Sequence, residues 1–143
     1  MNSYLEVAVD AAREAGAILL AELDRPARIS YKGDVDLVTQ ADQRSEKALV
    51  AKLSTHFPKH DIIAEEGGGL EKESRFRWYV DPLDGTINYV KRIPHFAVSI
   101  GVLINRMPLA GAIYNPNLKE LYTATRDHGA YLNGRRIHVS RRR

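Results

Sequence analysis

Residues 76–86, FRWYVDPLDGT, contain the pattern on which the fold depends. Residues 76–80 are rich in aromatic and β-branched side chains, which is typical of a strand. Pro82 then restricts one backbone dihedral, and a helix can begin at Gly85 and Thr86. If the backbone turns between Asp81 and Asp84, their carboxylates can converge on one cation. The stretch therefore predicts a strand that ends at a candidate metal site.

The residue pattern after this stretch is typical of an antiparallel sheet. Short apolar runs separated by turn-forming residues are typical of strands, and they occur at residues 96–104, 109–114 and 121–124. Asn133-Gly134 predicts a tight hairpin between residues 130–132 and 137–139. The connections are too short for helical crossovers, so we expect a largely antiparallel sheet.

The first part of the chain predicts two helices. Ser3 and Glu6 have capping-box spacing, and apolar or small residues then recur at steps of three and four until Leu23, before Pro26. Thr39 and Asp42 predict the start of a second helix, which ends before a later proline at position 58. Two helices packed on one face of an antiparallel sheet make an α+β fold.

Length and composition place the chain among ordinary globular proteins. Its 143 residues predict a single domain, 1–143, with no membrane-spanning segment, and the acidic start predicts a cytoplasmic protein. The absence of cysteine leaves oxygen and imidazole as metal ligands. The net charge of +3 equals the charge of Arg141, Arg142 and Arg143, and no groove-reading motif accompanies them. We therefore expect no nucleic-acid partner.

Two further acidic clusters are ambiguous when each is taken alone. The segment 62–69, IIAEEGGG, places Glu65 and Glu66 between an apolar run and a glycine-rich loop, and such a pair is also typical of a solvated strand end. In the segment 34–42, helix capping already accounts for Thr39 and Asp42. The five histidines are scattered without metal-ligand spacing, so we interpret them as surface or packing residues.

Taken together, the clusters resemble the inositol monophosphatase family in order and spacing. The resemblance extends over nearly the whole chain, and the DPLDGT segment is its most specific part. The matching segments are VDLVT at 35–39, AD at 41–42, IAEE at 63–66, WYVDPLDGTINY at 78–89, Pro94, Phe96, AVSIG at 97–101, GAY at 129–131 and NG at 133–134.

The resemblance implies a Mg²⁺-dependent hydrolase of small phosphorylated polyols or sugars. It implies that Glu65, Asp81 and the Leu83 carbonyl bind one Mg²⁺, and that Asp81 and Asp84 share a second. Oxygen ligands suit this hard cation, and a metal-bound water is a good nucleophile at neutral pH.

The remaining implied roles concern catalysis and the substrate. The resemblance assigns catalytic roles to Thr86, which would orient the water, to Asp42, which would accept its hydrogen bond, and to Glu65. The backbone N–H groups of Gly85 and Thr86 would meet the phosphate. Other candidate site residues are Lys32 and Glu66.

The chain departs from the family pattern in two ways. Ala64 stands where the family usually has glycine, and no segment resembles the second half of the family fold, which carries a further metal-binding aspartate and most substrate contacts. Two alternatives follow: a phosphatase completed by a partner or sufficient for small substrates, or a truncated, non-catalytic metal-binding domain that acts as an interaction module. A bare sheet face also predicts a homo-oligomer, most simply a dimer.

Overall fold

The computed structural model describes residues 3–24, 33–65, 67 and 69–143, with the side chains of residues 33–39 excepted. Within these residues, three helices and seven strands form the fold. In chain order they are α1 (Ser3–Leu23), α2 (Gly33–His56), β1 (Asp61–Ala64), β2 (Phe76–Asp84), α3 (Thr86–Val90), β3 (Ala97–Ile104), β4 (Met107–Asn115), β5 (Glu120–Thr125), β6 (Gly129–Leu132) and β7 (Arg135–Ile137). None of the helices in the described part is both long and apolar enough to cross a membrane.

The α1 helix has the predicted bounds, and the helix face that carries small side chains is turned toward the sheet. Small residues such as Ala8, Ala12 and Ala15 are fully buried together with Leu19, whereas Val9 is only partly buried. Small side chains allow the helix backbone to approach its neighbours closely. The predicted helix pair is confirmed, because α1 packs on both α2 and β4.

The α2 helix begins earlier than the sequence predicts. The predicted start at Thr39 and Asp42 is wrong, because the helix begins at Gly33 and both residues lie inside it. The capping motif at Thr39 and Asp42 therefore does not mark the first residue of this helix.

All seven strands belong to one sheet, and they follow one another in chain order. Every neighbouring pair is antiparallel except β1 and β2, which are parallel, so the predicted α+β class and largely antiparallel sheet are confirmed. The described residues of the connection between these two strands include no helix. The connection runs back antiparallel to β1, where Leu70 and Ile62 exchange backbone hydrogen bonds of 2.8 and 2.7 Å.

The predicted hairpin at Asn133-Gly134 is present, with its second strand beginning two residues earlier than predicted. Both residues have left-handed φ values, 49° and 80°, as a two-residue hairpin turn with matching twist requires. The second strand covers Arg135–Ile137 instead of residues 137–139. The ends of the other predicted strands shift slightly, and β2 extends beyond the predicted residue 80 to Asp84.

The core lies between the two long helices and one face of the sheet. Side chains of the strands alternate between this face and the opposite one. The inward-facing set is Trp78, Val80, Val98, Ile100, Val102, Ala112 and Leu121, and all of these are buried. On the opposite face Tyr79, Ile113 and Tyr122 are exposed.

Candidate functional site

The segment from Asp81 to Asp84 ends β2 as a bulged strand. Asp81 pairs with Ser99 and Asp84 pairs with Ala97, so β2 carries one residue more than β3 over this interval. The backbone N–H of Leu83 donates to Asp81 Oδ1 at 3.1 Å. A bulge redirects side chains that a regular strand would place on alternate faces. The predicted change of backbone direction between the two carboxylates is therefore made within the strand.

Glu65 reaches the same place from the neighbouring parallel strand. Ala64 is opposite Val80 in the register of β1 and β2, and the Glu65 N–H donates to the Val80 carbonyl at 3.3 Å. Glu65 follows Ala64 and Asp81 follows Val80, so the parallel register places Glu65 beside Asp81. The two carboxylates are joined by a side-chain hydrogen bond.

The electrostatics of Asp81 indicate a concentration of negative charge. Burial, a side-chain hydrogen bond with Glu65 and the charges of Glu65 and Asp84 together raise the pKa of Asp81 to about 7, against the opposing effect of the Leu83 N–H. A carboxyl with like charges nearby retains its proton unless a cation neutralises them. The three acids predicted as metal ligands are thus brought together by the fold.

The same residues do not yet form a complete coordination sphere. In the described part of the chain, no group of three or more His, Asp or Glu side chains could hold a metal ion as it stands. The donor set nevertheless fits a hard cation, because it consists of carboxylates whose mutual repulsion such an ion would relieve. The raised pKa of Asp81 reflects this repulsion together with its burial.

The short helix α3 follows directly after the acidic segment. Gly85 is its N-terminal cap and has a left-handed φ of 95°, and a side chain there would also meet the His95 carbonyl at 3.1 Å. Only glycine adopts this conformation without strain. Thr86 is the first residue of α3 and is exposed beside Asp84.

Asp42 approaches α3 from the middle of α2. Its side chain is 7% exposed, and burial together with the charges of Glu22 and Asp42 raises the pKa of Tyr89 on α3. The Tyr89 hydroxyl donates to the Leu19 carbonyl at 2.8 Å, which ties α3 to α1. The predicted site residues Lys32 and Glu66 lie outside the described residues.

Ser45 is a contributor that sequence reasoning missed. It is fully buried on α2, and its Oγ donates to the Pro82 carbonyl at 3.3 Å. This bond fastens the acidic segment of β2 to the helix that carries Asp42. The available signal was a hydroxyl on the apolar face of a helix, where a buried polar group needs a partner.

Replacing Ser45 with alanine is expected to weaken this attachment. The Pro82 carbonyl would remain buried without its donor, which costs about 1–3 kcal/mol in the free energy of unfolding. Urea denaturation measures the loss. Ser54→Ala is the matched control, because Ser54 lies on the same helix and donates only to the carbonyl of Ala51 within it. Equal losses in the two variants would show that Ser45 has no special role.

Comparison with known proteins identifies the lineage of the chain. The model of the inositol monophosphatase family matches residues 1–143. The chain is 43% identical over 143 residues to the Nus factor SuhB of Escherichia coli strain K12, covering 98% of this chain and 54% of that protein. It is 41% identical over 145 residues to inositol monophosphatase 2 of Solanum lycopersicum, covering 98% of this chain and 55% of that protein.

Solved structures agree with these relatives in fold. The suhB protein of Bartonella henselae superposes with a TM-score of 0.89 at 40% identity, covering 99% of this chain and 56% of that one. The inositol monophosphatase of Anabaena gives a TM-score of 0.84 at 40% identity, covering 98% and 50%. The chain spans about half the length of the relatives it matches. The family match, together with the fold and the acidic site, shows that this chain belongs to the inositol monophosphatase family.

Proposed function

We propose that the chain takes part in Mg²⁺-dependent hydrolysis of a phosphate monoester of a small polyol or sugar. The observation that carries this proposal is the grouping of Glu65, Asp81 and Asp84, in which the Asp81 pKa is raised to about 7. Family membership supports phosphatase-type chemistry, and the Solanum lycopersicum relative is named for inositol monophosphate. Because the relatives are about twice as long, the activity of the whole protein is part of the proposal.

The proposed metal ligands are those predicted from the resemblance. Glu65, Asp81 and the Leu83 carbonyl would hold one Mg²⁺, and Asp81 and Asp84 would share a second. Bound Mg²⁺ supplies an activated water and neutralises phosphate charge. Because the pKa of Asp81 is raised to about 7, loss of the Asp81 proton would accompany binding near neutral pH, since ligands coordinate as carboxylates.

The proposed roles of the other residues are those that the family resemblance implies. Thr86, exposed at the start of α3, would orient the water with its hydroxyl. Asp42, buried on α2 beside α3, would accept the hydrogen bond of that hydroxyl, while Glu65 would act in catalysis as well as metal binding. The N–H groups of Gly85 and Thr86 would contact the phosphate. Lys32 and Glu66 are further candidates for the site.

Phosphate release is the direct test of this proposal. The chain would be incubated with inositol 1-phosphate and, because a related staphylococcal structure is described as bound to 2'AMP, with that nucleotide as well. We expect release that depends on Mg²⁺ and stops when the metal is chelated. Phosphate release that is equal with and without metal would contradict the mechanism.

A second candidate function is a non-catalytic, metal-binding interaction module. It is favoured by the 43% identity to a protein named as a Nus factor. Mg²⁺ binding without any phosphate release, for either substrate, would favour this alternative. Both functions predict the same metal ligands, so the assay separates them by turnover alone.

Thr86→Ala is expected to separate catalysis from metal binding. The loss of a group that positions the reacting water typically costs about 100-fold or more in rate, whereas the carboxylate ligands are unchanged. Phosphate release should therefore fall while the Mg²⁺ affinity from calorimetry stays the same. Thr125→Ala, at the end of β5, is a control outside the acidic site. Unchanged turnover in Thr86→Ala would remove Thr86 from the mechanism.

We also propose that the chain forms a homodimer through the outer face of its sheet and resides in the cytoplasm. Ile113 and Tyr122 are 47% and 39% exposed and lie opposite each other on β4 and β5. Exposed apolar faces favour association, and identical chains usually associate with two-fold symmetry. Sedimentation velocity at micromolar concentration should show a dimer that Ile113→Asp converts to monomer. A stable wild-type monomer would contradict the proposed dimer.

A further inference from the structure

A groove lined by arginine lies at the opposite end of β2 from the acidic site. It has a volume of about 370 Å³, within the range of small-molecule sites. The β3–β4 turn and the loop before β2 form its ends. Its principal lining residues are Arg75, Arg77, Arg106, Tyr79, Leu103 and Asn105.

The guanidinium groups are held in place by contacts in their surroundings. Arg77 lies between Tyr79 and Asp61, with Nη2 at 3.5 Å from Asp61 Oδ2, and the hydrogen bond with Tyr79 followed by the Asp61 carboxylate raises the pKa of Arg77. Arg75 lies over the ring of Phe76, with its Cζ at 5.7 Å from the ring centre. A pre-positioned guanidinium loses less entropy when it binds an anion.

The β3–β4 turn brings the third arginine to the other two. Asn105 and Arg106 have left-handed φ values of 49° and 68°, which reverse the chain tightly. The Asn105 N–H donates to the Arg75 carbonyl at 2.9 Å, so this turn is fastened to the start of β2. Arg106 therefore faces the groove from one side while Arg75 and Arg77 approach from the other.

The charge of the groove is only partly compensated. Glu73 is the acidic residue that lines it, against three arginines. Asp61, which also accepts hydrogen bonds from the backbone N–H groups of Lys72 and Ser74, pairs with Arg77, so Glu73 and Asp61 together offset two of the three guanidinium charges. Guanidinium groups that converge with surplus positive charge favour phosphate over neutral ligands.

We propose that this groove binds a small molecule that carries adjacent phosphate groups. Arg75, Arg77 and Arg106 contact the phosphates, and the side chains of Tyr79 and Leu103 accommodate the carbon part of the ligand. The site is separate from Glu65, Asp81 and Asp84, whose negative charge repels a polyanion when no metal is bound. Binding here consequently needs neither Mg²⁺ nor turnover.

Calorimetry with inorganic pyrophosphate in metal-free buffer at low salt tests the proposal. We expect saturable binding at one site and weaker binding of inorganic phosphate, which engages fewer guanidinium groups. Arg75→Gln and Arg106→Gln should each weaken pyrophosphate binding by about tenfold, the usual effect of losing one charge-assisted contact. Both side chains are exposed, so both variants should retain the wild-type circular dichroism spectrum.

Arg126→Gln is the matched control for these variants. Arg126 is also exposed, but it lies in the turn between β5 and β6, outside the groove. Its replacement removes the same net charge and should change the affinity by less than about twofold. Absence of saturable binding, equal losses in all three variants, or phosphate binding as tight as pyrophosphate binding would each overturn the proposal.

Discussion

Asp81→Asn is expected to abolish Mg²⁺ binding or weaken it by a factor of about 100 or more. Loss of a residue that only supports a metal ligand costs about 10–100-fold in affinity, and Asp81 is proposed as a ligand shared by two ions. The substitution removes a charged oxygen from a hard-cation site while it preserves the size of the side chain. Isothermal titration calorimetry with MgCl₂ measures the change.

A stability measurement on the metal-free protein distinguishes a loss of metal binding from a loss of folding. Asp81 is half-buried among like charges in the metal-free protein, and its pKa of about 7 reflects that unfavourable environment. A neutral amide relieves the repulsion, so the metal-free variant should unfold at a urea concentration no lower than the wild type.

Asp127→Asn is the matched control for this substitution. Asp127 is exposed in the turn between β5 and β6, where its φ of 65° also suits asparagine. The control should bind Mg²⁺ like the wild type. Wild-type affinity in Asp81→Asn would show that the metal lies elsewhere.

Trp78→Ala is expected to lower the free energy of unfolding by about 3–5 kcal/mol, the usual range for deletion of a large buried aromatic side chain. Trp78 is 0% exposed and faces the helices from the middle of β2. Its ring stacks on Phe57 at 5.4 Å, and its Nε1–H donates to His60 Nδ1 at 3.0 Å. A loss of this size is a large share of the stability of a typical domain.

The contacts of Trp78 extend into an aromatic stack. His60 lies between Phe57 and Phe76, with ring centres 4.8 and 4.4 Å away, and burial lowers the pKa of His60 despite the nearby charge of Asp61. A neutral imidazole can accept the indole hydrogen bond. Removal of the indole would leave both a cavity and an acceptor without its donor.

Urea denaturation at neutral pH measures the effect of Trp78→Ala. Tyr79→Ala is the matched control, since Tyr79 is the next residue of β2 but is 45% exposed on the other face. The control should lose less than about 1 kcal/mol. Similar losses in both variants would show that the core does not lie on the helix side of the sheet.

Local patterns in the sequence were sufficient for the class of fold, whereas the candidate ligands were predicted from the family resemblance. The period of α1, the alternation along the strands and the Asn133-Gly134 turn depend on neighbouring residues, and each predicted the element that is observed. The family resemblance is confirmed by the family match. The start of α2 was wrong because a capping motif at Thr39 and Asp42 also fits inside a longer helix.

What the sequence by itself determined is therefore the set of elements and the acidic residues at their ends. Only the tertiary structure decided that β1 lies parallel to β2, which places Glu65 beside Asp81 and raises the Asp81 pKa. It also brought Ser45 to the Pro82 carbonyl across 37 residues of chain. Such contacts depend on strand register and helix packing, which are set by burial over the whole molecule. A sequence pattern contains information only about residues that are close along the chain.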